Sequence, residues 1–185
     1  KALQDYDDII FYIAGDGSEK QRLKERIRQE EISNVRLLPL LPRAEYFNLV
    51  SSSDVSFISL DERMKAPCLP GKTVNLMACS QPIIAMVVER SETAHVVREA
   101  QCGIIVKPGD VENIRSAILY LKESTSACEA MGSNGRSFLE MNMNLEKNVA
   151  QYEQIFHVFA GNNTFTREPF PSRSKEALEV EQHDL

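Results

Sequence analysis

Residues 71 to 73, Gly71-Lys72-Thr73, come close to the phosphate-binding pattern of a Walker A loop. In that loop, consecutive backbone N–H groups wrap the phosphates and the lysine adds positive charge. Here Pro67 and Pro70 each remove an N–H group from the loop. The sequence therefore argues against a Walker-type nucleoside triphosphatase. A glycine and a lysine at the start of a helix still suit an anion, because the free N–H groups and the helix dipole favour negative charge there.

The composition is that of a globular protein with a sizeable core. The 185 residues are 43 % apolar and 26 % charged, which suits one domain, or one domain plus a tail. The formal charge of −6 and the lack of a basic cluster argue against a nucleic-acid partner. Neither a bilayer-spanning apolar run nor a signal-peptide pattern is present. We expect a cytoplasmic location, with the inner face of the membrane as an alternative.

The residues that most often bind metals are dispersed along the chain. No CxxC or His-Cys spacing occurs, so we expect reduced cysteines and no metal site. Asp5-Tyr6-Asp7 has an Asp-x-Asp form that can hold a divalent metal, but it precedes a strand instead of following one. We interpret it as a solvated turn. The cysteines and histidines are Cys68, Cys79, Cys102, Cys128, His95, His157 and His183.

Short apolar runs alternate with amphipathic segments along the chain. The run Ile9–Ala14 stops at Gly15-Asp16-Gly17 and predicts a buried parallel strand followed by a turn. Ser18 and Asp110 are predicted to be the N-caps of two of the helices. Strict alternation of strands and helices predicts an α/β fold with a Rossmann-like parallel sheet and helices on both faces. The other predicted strands are NVRLLPL, DVSFISL, QPIIAMVV and CGIIV.

The two ends of the chain differ from its middle. Residues 162–185 have few apolar residues, two prolines and no period, so we predict a mobile tail after a domain of residues 1–161. Lys1–Asp8 resembles the last turn of a helix with no strand before it. We therefore expect that at least one strand–helix unit of the domain lies upstream.

Five segments in order resemble the C-terminal, nucleotide-sugar-binding domain of a GT-B glycosyltransferase of the family 4 type. Among its branches, the chain is most similar to the one acting in capsule, O-antigen and colanic-acid synthesis. The ordered set covers about 150 residues, although no single piece is specific. The segments are FYIAGDGSEKQRL, NVRLLPLLPRAEYFNLVSSSDVSFISL, LPGKTVNLMACSQPIIA, SETAHVVREAQCGIIVKPGD and NLEKNVAQYEQIF.

The resemblance implies an enzyme that transfers a hexosyl or N-acetylhexosaminyl group from a nucleotide-diphosphate sugar. The acceptor would be a glycan or lipid-linked, in cell-surface polysaccharide synthesis. Such enzymes need no cofactor and no divalent metal. They take the acceptor and any catalytic base from a separate N-terminal domain, through which peripheral membrane contact would also occur. The resemblance therefore implies that this chain alone binds the donor without completing the reaction.

The resemblance also assigns residues to the donor diphosphate and ribose. Gly71, Lys72 and Thr73 would lie at the diphosphate. Asn75 falls where many relatives have the second glutamate of an E-x7-E pair, which binds the ribose. The first glutamate would fall at Pro67, so the pair is absent, as it often is in the capsule branch. This departure leaves open how the ribose and sugar are held, and whether the reaction retains anomeric configuration.

Four further residues are candidates for the donor cleft. The nucleobase would rest against backbone at Leu38–Leu41, with Leu40 in that stretch. Glu92 would bind a donor hydroxyl, or it would only satisfy the dipole of its helix, and both readings stay open. Gly15 and Gly17 would form a tight strand-to-helix turn, with close approach to the cleft as the second reading.

Two other functions remain as alternatives. A non-hydrolysing nucleotide-sugar epimerase would need a catalytic histidine and carboxylates facing the sugar, for which the cleft-side loops offer only Glu92 and His95. A non-catalytic α/β interaction module is also compatible with the architecture, because fold does not dictate function. Such a module would not need Gly71-Lys72-Thr73 at the edge of the sheet where parallel sheets bind ligands.

Overall fold

The computed structural model describes residues 1–64 and 68–159. Within these ranges the chain forms five short strands and seven helices. The strands are β1 (Phe11–Ala14), β2 (Val35–Leu38), β3 (Ser56–Ser59), β4 (Ile83–Met86) and β5 (Gly103–Val106). The helices are α1 (Lys20–Gln29), α2 (Arg43–Ser51), α3 (Gly71–Ala78), α4 (Glu92–Glu99), α5 (Val111–Glu123), α6 (Thr125–Asn142) and α7 (Leu145–Phe159).

The strands form two parallel sheets. In the first sheet β1 pairs with β2, with Phe11 opposite Val35. In the second sheet β4 lies between β3 and β5, with Ile83 opposite both Ser56 and Gly103. Strands and helices alternate as far as α5, which gives the right spacing for parallel crossover connections. The predicted α/β fold with parallel sheets flanked by helices is confirmed.

The core lies around β4. Ile83 and Ile84 on this strand have no exposed surface, as expected for the central strand of a parallel sheet. Val106 of β5 and Leu121 of α5 are buried in one cluster with Ile84. Burial of β4 holds this sheet in position. Its carboxyl edge is where the loops after β3 and β4 begin.

Two glycines of α6 allow that helix to lie close to its neighbours. A Cβ atom at Gly132 would overlap the backbone oxygen of Ser80, and one at Gly135 would lie 2.9 Å from the Cβ atom of Cys102. In the same helix, the Arg136 guanidinium donates to the backbone oxygen of Ala78 at 2.6 Å. Helix α6 therefore fixes the C-terminal end of α3, whose first turn is described below.

The predicted burial of β1 is wrong. Tyr12 is 51 % exposed and Ile13 is 44 % exposed, although the strand itself forms as predicted. The ladder of β1 runs to β2 alone, and in the described chain its clearest cross-sheet contact is the Phe11 ring, 6.1 Å from that of Phe57. An apolar run identifies a strand, but its burial depends on neighbours on both sides.

One predicted helix cap is wrong and the other is confirmed. Helix α1 begins at Lys20 with Glu19 at the cap position, and Ser18 makes no cap. The glycines of the preceding turn have φ of 152° and 153°, so the chain becomes helical only after Ser18. At α5 the Asp110 carboxylate accepts from the backbone N–H of Asn113 at 3.1 Å, as predicted.

The chain divides into two compact units, Lys1–Asn142 and the residues from Met143 onwards. The predicted tail, residues 162–185, lies outside the described residues. The predicted domain limit at residue 161 stays a prediction. None of the described helices is both long and apolar enough to cross a membrane.

Candidate functional site

Helix α3 begins directly after the loop that follows β3. Pro70 occupies the cap position without a side-chain hydrogen bond, and the Thr73 N–H closes the first turn on the Pro70 oxygen at 2.9 Å. Helix geometry leaves the N–H groups of Gly71 and Lys72 without acceptors inside the helix. These two donors lie at the positive end of the helix dipole, which favours an anion there.

Gly71 and Lys72 are both exposed, as an anion site at this turn requires. A Cβ atom added at Gly71 would meet no atom within 4 Å, so the space beside its backbone is open. Within the described residues Lys72 has no carboxylate partner for its ammonium group. The turn therefore offers two N–H groups and one uncommitted cation to a ligand.

Thr73 differs from these two neighbours because its side chain has no exposed surface. Its hydroxyl is the buried side-chain polar atom for which the described part of the chain supplies no hydrogen-bond partner. An unpaired buried hydroxyl costs roughly 1–3 kcal/mol. Buried polar atoms left in this way need an explanation, and a polar ligand atom at the start of α3 would supply one.

Helix α4 begins beside the same loop. The Ser91 hydroxyl accepts from the Ala94 N–H at 3.2 Å and caps this helix. The Thr93 hydroxyl donates to the backbone oxygen of Cys68 at 3.3 Å, which ties the first turn of α4 to the loop before α3. Glu92, partly buried, is the first residue of that turn. Glu92 is therefore next to the residue that contacts the loop preceding the predicted Gly71–Thr73 turn.

Asn75, one turn into α3, contacts a residue that the sequence did not indicate. The Asn75 side chain lies near the Tyr46 hydroxyl of α2. Burial raises the pKa of Tyr46, the nearby Cys79 adds to the rise, and the Asn75 side chain opposes it. Tyr46 of α2 is therefore a neighbour of the predicted ribose residue Asn75. A lone tyrosine in a helix gives no sequence signal for such a role, since the role depends on which helices meet.

The second group of predicted residues surrounds a cavity at the end of β1. The cavity has a volume of about 200 Å³ and is lined by Gly15, Gly17, Lys20, Leu23 and Leu38, among others. At φ of 152° and 153°, both glycines adopt backbone that residues with a side chain rarely take. This geometry supports their predicted role in a tight strand-to-helix turn.

The negative charge at this turn is carried by Asp16. Its carboxylate accepts from the Gly17 N–H at 2.9 Å and lies 3.6 Å from the Lys20 ammonium. The Gly17 N–H, followed by the positive charge of Lys20, lowers the pKa of Asp16. The lining of the cavity therefore includes one carboxylate that stays ionised at neutral pH.

Leu40 lies in the loop between β2 and α2 and is 75 % exposed. It does not line the cavity, although Leu38 from the same predicted stretch does. The loop leads into α2, whose Tyr46 contacts Asn75. Helix α2 is therefore the element that connects the Leu40 loop to α3.

His95, the histidine that the epimerase alternative would use, pairs with a carboxylate of its own helix. His95 lies on α4, half exposed, and its Nε2 atom is 3.3 Å from a carboxylate oxygen of Glu99 on the same helix. Across the described ranges, no three His, Cys, Asp or Glu side chains converge as metal ligands would. The geometry instead favours an anion at the start of α3.

Comparisons of the sequence identify a family. The family model described as Glycosyl transferases group 1 matches residues 1–138. The chain is 26 % identical over 148 residues to the uncharacterized glycosyltransferase MJ1069 of Methanocaldococcus jannaschii, covering 80 % of this chain and 36 % of that protein. It is 26 % identical over 144 residues to the probable glycosyltransferase WbjE of Pseudomonas aeruginosa, covering 76 % and 36 %. The chain therefore spans about a third of the length of these curated relatives.

A comparison of structures identifies the fold. Anabaena HepE, solved in complex with UDP, superimposes with a TM-score of 0.71 at 18 % identity, over 85 % of this chain and 43 % of that one. At this identity the likeness establishes the fold alone, which is that of the GT-B glycosyltransferases.

Proposed function

This chain belongs to the family of group 1 glycosyl transferases, and we propose that it is the donor-binding domain of an enzyme that uses a nucleotide-diphosphate sugar. The uncommitted cation and N–H groups at the start of α3 carry this proposal. HepE has been solved with UDP and with UDP-glucose, which supports a nucleotide sugar as the ligand class. The transferred group is proposed to be a hexosyl or N-acetylhexosaminyl group.

Lys72 and the first turn of α3 are proposed to hold the donor diphosphate. Breaking the bond between sugar and diphosphate places negative charge on the leaving group, and preorganised donors in a closed cleft stabilise that charge. The Gly71 and Lys72 N–H groups point along the helix axis, and the Lys72 ammonium adds a full charge. The buried Thr73 hydroxyl, unpaired within the described residues, lies in the same turn.

Asn75 and Glu92 are proposed to hold the sugar portions of the donor. Asn75 offers an amide to the ribose, next to the Tyr46 hydroxyl. Glu92 lies in the turn that Thr93 ties to the loop before α3, and its carboxylate suits a sugar hydroxyl. Neither residue reproduces the paired glutamates of many relatives, so the ribose is held by an amide where they use a carboxylate.

The cavity at β1 is proposed to lie beside the nucleobase. Its apolar lining from Leu23 and Leu38 suits a planar ring, and the Leu40 loop offers backbone groups to the ring edge. Gly15 and Gly17 allow the chain to turn away without a side chain entering this space. The nucleobase and the diphosphate would then be bound by loops that α2 connects.

The acceptor side of the reaction is proposed to lie in a separate N-terminal domain. The relatives are about twice as long as this chain, so a second domain is available to supply the acceptor and any base. We propose a glycan or lipid-linked acceptor in cell-surface polysaccharide synthesis, because the Pro70–Thr73 loop resembles that of the capsule branch. The proposed location is cytoplasmic, with peripheral membrane contact through the other domain. No cofactor or metal is proposed.

The test is calorimetric titration of the chain with UDP, GDP, ADP and a UDP-N-acetylhexosamine. We expect one nucleotide to bind, and Lys72→Ala to weaken it by about 1–3 kcal/mol, the value of a lost charge-assisted hydrogen bond. The matched control is Lys107→Ala, since Lys107 is exposed and also follows a parallel strand. Equal binding by the Lys72 variant would move the site elsewhere. Absence of any binding would favour the interaction-module alternative.

A further inference from the structure

Residues 1–8 form consecutive turns that contact elements of both sheets, and we call this segment the strap. In the described ranges, no strand hydrogen bond joins the β1–β2 sheet to the β3–β4–β5 sheet. The two sheets carry different parts of the candidate site, because the cavity lies at the end of β1 and Gly71 begins the helix after β3. Whatever holds one sheet against the other therefore affects any ligand that spans both.

The strap is bonded to the first sheet at the amino ends of its strands. Leu3 is 5 % exposed, and its backbone oxygen accepts from the Asn34 side chain at 3.0 Å. The Asn34 backbone oxygen in turn accepts from the Phe11 N–H at 2.8 Å, where β1 begins. The Gln4 side chain donates to the backbone oxygen of Glu31, between α1 and β2, at 3.1 Å. These contacts lie at the opposite ends of the strands from the cavity.

Helix α5 holds the strap from the side of the second sheet. The Arg115 guanidinium donates to the Ala2 backbone oxygen at 3.2 Å and to the Tyr6 hydroxyl at 3.3 Å. The Lys122 ammonium lies 2.8 Å from a carboxylate oxygen of Asp8. The Arg115 and Lys122 charges also lie 6.0 and 5.8 Å from the centre of the Tyr6 ring, within reach of a cation–π attraction. Tyr6 therefore contacts both of these cations of α5.

Helix α5 is itself fixed on the second sheet. Its residues Ala117 and Leu121 are buried in one cluster with Ile84 of β4 and Val106 of β5. Because such interiors are close-packed, α5 and this sheet behave as one body. The contacts of the strap with α5 therefore connect the first sheet to the whole of the second.

We propose that Tyr6 is a positioning residue, which holds the β1 cavity and the first turn of α3 at the separation that a nucleotide diphosphate spans. This role rests on the proposed function, in which the base lies at the cavity and the diphosphate at the turn. Affinity for a ligand with two joined parts depends on how its two subsites are placed relative to each other, whereas affinity for one part alone does not. Tyr6 acts through this placement, because the strap contacts the ends of β1 and β2 away from the ligand.

Titrations with a two-part and a one-part ligand test this role. We expect Tyr6→Ala to raise the dissociation constant of UDP (or of GDP or ADP, if the titration above selects one of these) at least fivefold. The same variant should leave the dissociation constant of pyrophosphate, which occupies the α3 turn alone, within about twofold. Arg115→Ala removes the contacts from the α5 side and should give the same difference, whereas Lys72→Ala should weaken both ligands. Chemical-shift titration measures the weaker pyrophosphate affinity.

Tyr120→Ala and Tyr6→Phe are the matched controls. Tyr120 is a half-exposed tyrosine of α5, and loss of its ring should leave both dissociation constants unchanged. Tyr6→Phe keeps the ring beside Arg115 and Lys122 and should recover most of the affinity for the nucleotide. Equal weakening of nucleotide and pyrophosphate by Tyr6→Ala, or no weakening of either, would overturn the proposal.

Amide hydrogen exchange tests the strap without a ligand. If the strap contacts break when β1 and β2 open, Tyr6→Ala speeds exchange at Ile13 by the same factor as at Ile84, where exchange requires global unfolding. Faster exchange at Ile84 alone would show that the strap stays formed in the partial opening, and the proposal would fail. If the unchanged chain binds no nucleotide while Ile13 still responds to Tyr6→Ala, the proposed function fails, and the positioning role fails with it.

Discussion

Gly71 and Gly132 differ in what surrounds them. A Cβ atom at Gly71 meets nothing within 4 Å, whereas one at Gly132 overlaps the backbone oxygen of Ser80. We therefore expect Gly71→Ala to fold with an unchanged melting temperature but to bind nucleotide about tenfold more weakly, a loss of about 1.4 kcal/mol. The methyl group would occupy the space that a phosphate needs. Thermal melts and calorimetric titration measure the two effects.

Gly132→Ala is the structural control for that variant. We expect it to lose about 1–3 kcal/mol of unfolding free energy, because α6 must move away from Ser80. Unchanged affinity in Gly71→Ala would show that no ligand approaches this backbone. Gly71, like Gly132, would then have a structural role only.

Thr73 and Thr93 form a matched pair of buried threonines. Both have no exposed surface, but the Thr93 hydroxyl donates to Cys68 and the Thr73 hydroxyl has no described partner. We expect Thr73→Val to raise the unfolding free energy by about 1 kcal/mol and Thr93→Val to lower it by a similar amount. Urea unfolding of the two variants measures the difference. A stability loss in both would mean that the Thr73 hydroxyl is already satisfied.

Cys102 makes the stability depend on alkaline pH. Burial raises the pKa of its thiol from 9.0 to about 11. The unfolded chain ionises this thiol above pH 9, whereas the folded chain does so only near pH 11. This thiol therefore leaves the unfolding free energy unchanged below pH 9 and lowers it between pH 9 and 11, by roughly 3 kcal/mol. Urea unfolding across this range should show a smaller decline in Cys102→Ala than in the unchanged chain.

The sequence revealed the residues of the candidate site only in part. Gly71, Lys72 and Glu92 were assigned from the resemblance of ordered segments, since the short pattern around them is not specific by itself. Tyr46 and the Thr93 contact to Cys68 could not be predicted, because each depends on which two elements meet. The unpaired state of the Thr73 hydroxyl is likewise a property of packing.

At the scale of elements, two serines test how helices begin. Ser91 accepts from the Ala94 N–H and caps α4, whereas Ser18 lies outside α1 and caps nothing. Replacing a cap serine with alanine typically costs about 1 kcal/mol. We expect this loss in Ser91→Ala and no measurable change in Ser18→Ala. Denaturant unfolding distinguishes the two, and equal losses would contradict the assigned start of α1.

Element types were more predictable than element environments. All five strands were identified from short apolar runs, because a short β-branched run bounded by turn residues most often forms a strand. The exposure of Tyr12 and Ile13 was not predictable, since the same run is buried or exposed according to its neighbours. The start of α1 was misplaced because two glycines extend the turn.

At the scale of the whole molecule, donor binding and sugar transfer should separate. The chain covers 36 % of the length of its curated relatives, and the acceptor site is proposed to lie in the remainder. We expect the chain to bind a nucleotide sugar without transferring the sugar to an added glycan or lipid acceptor. Radiolabelled donor followed by chromatography measures transfer. Transfer by this chain alone would place the acceptor site within it.

Because the strands form two separate sheets, we expect the β1–β2 sheet to open more easily than the β3–β4–β5 sheet. Strand β4 has hydrogen-bonded neighbours on both sides, whereas β1 has one neighbour and exposed side chains. Amide hydrogen exchange should therefore be slowest at Ile84 and governed there by global unfolding. At Ile13 exchange should proceed through a cheaper opening that releases β1 and β2 alone. Such an opening would loosen the turn at Gly15 and Gly17 while the start of α3 stays formed, so nucleobase affinity and phosphate affinity would respond differently to mild denaturant.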